Sequence, residues 1–138
     1  SNNRAKLAAF DRMIKIHKER KNHTIIDQLM EKKVTQFPKN SCYLSDWANF
    51  KLLTLGEYTS AINTALIGVS DGCERSAYAK RVYADTLVAD WFQKVSKGED
   101  GSSSYYQAVA LDASWPKRLF RFSTRKINGV TSFVAAKF

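Results

Sequence analysis

The groups in this chain best suited to chemistry are two histidines, a tyrosine pair and a surplus of lysine and arginine. His17 and His23 are the only side chains whose ordinary titration lies near neutrality. His17 precedes Lys18 and lies close to Arg20. That grouping suits a metal-independent ribonuclease, in which an imidazole takes a proton while cations hold the phosphate. Arg121, Arg125 and Tyr106 offer a second route, stabilising a cleaving phosphate without histidine. Against both stands the plainer reading of the histidines as polar residues at a helix end and in the turn after it.

Other chemistries find less support. The sequence has no G-x-x-x-x-G-K-[ST] loop, no G-x-G-x-x-G, no H-E-x-x-H and no G-x-S-x-G, so no cofactor is expected. Acidic residues are scattered; Asp85 and Asp90 are five apart and do not form an evident ligand pair. Cys42 and Cys73 stand 31 residues apart, outside any C-x-x-C and without a nearby histidine. The expectation is no metal and two free, partly buried thiols.

The charge is the sharper signal. Twenty-two Lys and Arg against 13 Asp and Glu give +9 over 138 residues. Residues 1–40 hold ten basic and four acidic side chains, residues 41–100 six and eight, and residues 101–138 six and one, for net +6, −2 and +5. The excess belongs to the two ends. Lys15, Lys18, Arg20 and Lys21 supply one side of a possible basic surface, and Lys117, Arg118, Arg121, Arg125 and Lys126 the other. Such a surface neutralises phosphates and releases their counterions, and arginine's planar fork suits phosphate well. Tyr105 and Tyr106 are placed to stack on unpaired bases. The competing explanation is that the cations keep the chain soluble, and the Tyr pair also reads as half-buried packing.

These residues need elements to position them. At 44% apolar, the chain is read as one globular domain over 1–138, with a helical part 3–97, a flexible loop 98–104 and a strand part 105–138. Leu7, Phe10 and Ile14 make one stripe on a first helix, and Ile25, Ile26, Leu29, Met30 and Val34 one on a second. Thr24 with Asp27, Ser45 or Asp46, and Asp71 with Glu74 read as helix starts. Thr54 to Glu57 predicts a break. Ala84, Val88, Trp91 and Val95 share one face of a long helix that Gly98 ends, with Thr86, Asp90 and Gln93 opposite. Residues 105–111 read as strand, and Asn128-Gly129 as a two-residue hairpin turn with Ile127 facing Val130. The fold class expected is therefore α+β: about four N-terminal helices, then a small antiparallel sheet ending in that hairpin. A winged-helix variant places a helix at 105–111 with the hairpin as its wing.

No apolar run is long enough to span a bilayer. The N-terminus lacks an apolar core behind a basic start, so a cytoplasmic protein is expected. The favoured reading is a small accessory protein that binds RNA or DNA by phosphate contact. Its rivals are a toxin-like ribonuclease and a module docking on an acidic protein.

Overall fold

The computed structural model describes the backbone of residues 2–112, 122–127 and 130–135, and side chains for 3–112. Six helices fill the first range: α1 (Asn2–Glu19), α2 (His23–Gln36), α3 (Cys42–Phe50), α4 (Tyr58–Ser70), α5 (Ser76–Ser96) and α6 (Ser102–Leu111). A π-helical turn, Lys51–Leu55, joins α3 to α4. Beyond them two short strands, β1 (Phe122–Ile127) and β2 (Val130–Ala135), pair antiparallel with Ile127 opposite Val130.

The α+β expectation is corrected: the body of the protein is all helical. The decisive segment is 105–111. It lies in α6, whose Ser104 and Ala108 are buried, with Ala108 in a cluster with Leu87, Val88 and Ala89 of α5. The serine run expected as loop is instead the first turn of α6, steadied by Asp100, whose carboxylate accepts from the Ser102 N–H at 3.0 Å. Those Ser102 hydrogen bonds hold the Asp100 carboxyl below the usual carboxylate range. The turn at Asn128-Gly129, and which face the β1 and β2 side chains occupy, lie outside the described residues.

The helices start where backbone geometry allows rather than where caps were expected. α2, α3, α4 and α5 have no side-chain cap hydrogen bond. Ser45 and Asp46 lie inside α3, and α5 begins at Ser76, past Asp71 and Glu74. Helix ends are better defined. α1 closes with paired bonds from Asn22 N–H to His17 C=O and from Lys21 N–H to Lys18 C=O. This is the Schellman arrangement, with Lys21 itself left-handed at φ 56°. The expected break near Thr54 is the π turn, and Gly56 closes it at φ 65°, a backbone state that a side chain disfavours.

Two of the four apolar clusters among the described residues are larger than the others. Phe10 and Ile14 of α1, Ile26, Leu29 and Met30 of α2, and Phe50 of α3 form the first. Leu52, Ala61, Ala84, Leu87, Val88, Ala89 and Ala108 form the second. Burying Leu52 whole contributes about 2 kcal/mol. α5 is enclosed on more than its apolar face: Thr86, expected on the polar side, is fully buried and donates to the Tyr83 carbonyl at 2.6 Å.

The free-thiol expectation is also corrected. Cys42 and Cys73 form a disulfide, both residues buried, tying the start of α3 to the turn before α5. No helix among the described residues is long and apolar enough to cross a membrane.

Candidate functional site

Lys15 and Lys18 are three residues apart, so α1 presents them on one side beside Ile14. The turn after α1 puts His23 at the first position of α2, where its ring meets Phe50 edge-on at 6.4 Å between centroids. These residues border a cleft of about 570 Å³. α2 adds Ile26, Met30 and Lys33, α3 adds Tyr43, Asp46, Asn49 and Phe50, and Tyr78 reaches in from α5. Ile14, Ile26, Met30 and Phe50 are buried and give the cleft an apolar base.

The cleft's two carboxylates are already engaged. Lys33 Nζ bonds Asp11 Oδ1 at 2.7 Å and lies 4.2 Å above the Tyr43 ring. The Tyr78 hydroxyl donates to Asp46 Oδ1 at 2.5 Å. Burial first, then that bond and the Asp46 charge, push the Tyr78 phenol well above its ordinary value, while Arg75, 4.2 Å over the ring, opposes the rise. Lys15 and Lys18 are exposed and have no ion pair among the described residues. The basic groups left to meet a ligand are therefore two ammonium groups and an imidazole, over an apolar base.

The expected site residues separate. Lys15, Lys18 and His23 line the cleft. Arg20 and Lys21 are exposed at the end of α1 but do not line it. His17 is half-buried, its Nδ1 3.1 Å from Asn22 Nδ2, and serves the turn rather than the cleft. Tyr105 and Tyr106 belong to α6. Tyr105 lies against Trp91 at 5.3 Å, and Tyr106, 70% exposed, lies 6.0 Å from Tyr105. Lys117, Arg118 and Arg121 lie outside the described residues, as do the side chains of Arg125 and Lys126, which stand opposite Ser132 and Thr131 in the strand pair. The expectation of one surface shared by the two basic ends rests on those residues.

Lys33, Tyr43, Asp46, Asn49 and Tyr78 were not expected at the site. Asp46 has the local spacing of a cap, but its partner is 32 residues away, and no local spacing carries that pairing. No group of three or more His, Cys, Asp or Glu among the described residues could hold a metal ion. Comparison with protein families, curated proteins and solved structures finds no match for this chain.

Proposed function

We propose that this is a small basic nucleic-acid-binding protein that takes a single strand at the α1–α2–α3 cleft, with a phosphate against Lys15 and Lys18 and an unpaired base over Phe50 and His23. The observation that carries the reading is that both lysines face a cleft in which Lys33 pairs with Asp11 and the Tyr78 hydroxyl occupies an oxygen of Asp46, leaving three lysines against two aspartates. An anion entering there meets a lining that is positive on balance. An apolar, aromatic base favours an exposed nucleobase over a duplex, whose bases are stacked inside. The disulfide favours an oxidising compartment over the cytoplasm expected from sequence.

Fluorescence anisotropy with labelled single- and double-stranded oligonucleotides across a salt series tests this. Single strands should bind more tightly, with affinity falling as salt rises. Lys15→Glu with Lys18→Glu should weaken binding at least about tenfold and reduce the salt slope by about 1.4, the share of two phosphates on a single strand. Absent binding at low salt, or an unchanged slope in the double variant, removes the proposal. RNA cleaved in EDTA by the native protein but not by His23→Ala would instead make the cleft a ribonuclease site.

A further inference from the structure

A second site lies at the join of the π turn and α4. Lys51 opens the π turn, and its backbone is pinned there because its carbonyl accepts from the Gly56 N–H and, at 3.1 Å, from the Glu57 N–H. The side chain runs forward to the start of α4. It is 6% exposed, with Nζ 2.8 Å from Ser60 Oγ, 2.9 Å from Thr64 Oγ1 and 3.7 Å from the centre of the Trp47 ring. Trp47 is itself fixed by its indole N–H, which donates to Asp27 Oδ1 at 2.7 Å. Ser60 is only half-buried. An enclosed amine thus stands within hydrogen-bond reach of the hydroxyl of a half-buried serine, the pairing a nucleophile and its base require.

We propose that Ser60 and Lys51 form a serine–lysine nucleophilic pair acting on carboxylic esters. Neutral Lys51 Nζ takes the Ser60 proton as Oγ bonds the ester carbon. The carbon–alkoxide bond then breaks, and Lys51 returns the proton to the departing alcohol. Water, deprotonated by the same amine, attacks the acyl-serine and releases the acid and free Ser60. The sum is ester plus water to acid plus alcohol. The first hydrogen bond within α4 runs from Ala61 N–H to Glu57 C=O. The N–H groups of Thr59 and Ser60 precede it and have no intrahelical acceptor, so they are the donors proposed to hold the developing oxyanion. Burial lowers the Lys51 pKa and favours the neutral amine, against the opposing charges of Asp27, Glu57 and Glu31. The site is independent of the cleft chemistry and needs no nucleic acid.

The test is labelling of the whole protein with a fluorophosphonate, with the modified residue located by peptide mass spectrometry across pH about 6 to 10. Native protein should be modified at Ser60, increasingly as pH rises, and urea-unfolded protein should not. Lys51→Arg keeps a cation but removes the base and should slow Ser60 labelling and p-nitrophenyl acetate hydrolysis at least about 100-fold. Ser60→Ala should abolish both. Absence of Ser60 modification in the native protein, a rate independent of pH, or equal labelling after unfolding would overturn the proposal. These wild-type readouts decide it even if Lys51→Arg does not fold.

Discussion

Tyr78 shows how one side chain can set the electrostatics of a cleft. Its hydroxyl donates to Asp46, so one oxygen of a carboxylate that would repel an anion is turned to a hydrogen bond without a second cation. The arrangement has a pH signature. The folded-state pKa of Tyr78 lies above its ordinary value near 10.0. Its contribution to stability is therefore complete below that value and is lost as pH rises toward the folded pKa. Urea-unfolding midpoints should decline from about pH 10 upward, and Tyr78→Phe should flatten that decline. At neutral pH the same substitution should cost about 1.5–3 kcal/mol, the range for a hydrogen bond to a charged group.

At the level of elements, α3 and α4 approach closely at Gly68. A β-carbon on Gly68 would come 2.7 Å from Ser45 Oγ, 3.3 Å from the Ser45 nitrogen and 3.4 Å from the Ser41 carbonyl. Ser45 Oγ is buried and has no hydrogen-bond partner among the described residues. Gly68→Ala should therefore destabilise by about 1–3 kcal/mol. Ser45→Ala should be near neutral, and the double variant should recover much of the loss, a coupling that denaturant unfolding of all four proteins would measure. Absence of coupling would mean that the helices separate rather than clash. Elements of this kind were only partly legible beforehand. Phe10, Ile14, Ile26, Leu29 and Met30 are spaced by the helical period, and all are buried. The break near Thr54 and the stop at Gly98, which has φ 76°, also follow from local chemistry. α6 did not, because its tyrosines and valine favour strand in isolation and only docking of Ala108 against α5 decides the matter. The cap positions misled because Asp27 and Asp46 serve Trp47 and Tyr78 instead. Of the cleft, the cations of α1 and His23 could be named from sequence, whereas the contributions of α3 and α5 depend on tertiary pairing.

For the whole molecule, the disulfide is the longest-lived constraint. It closes a 31-residue separation that spans α3, the π turn and α4. Restricting the unfolded chain over such a loop contributes about 3–4 kcal/mol in the loop-entropy account. Urea unfolding with and without dithiothreitol should show a loss of that size. Equal stability in both conditions would show that the bond is not formed in solution. The spacing of Cys42 and Cys73 gave no hint of the bond, since pairing depends on where α3 and the turn after α4 meet. It also sets a mechanical property. If the unfolded chain is drawn out by its two ends, the residues between the cysteines stay out of the tensioned path, withholding about 100 Å of extended length. A narrow pore would then have to admit the doubled loop beside the continuing chain, three strands where the reduced chain passes singly.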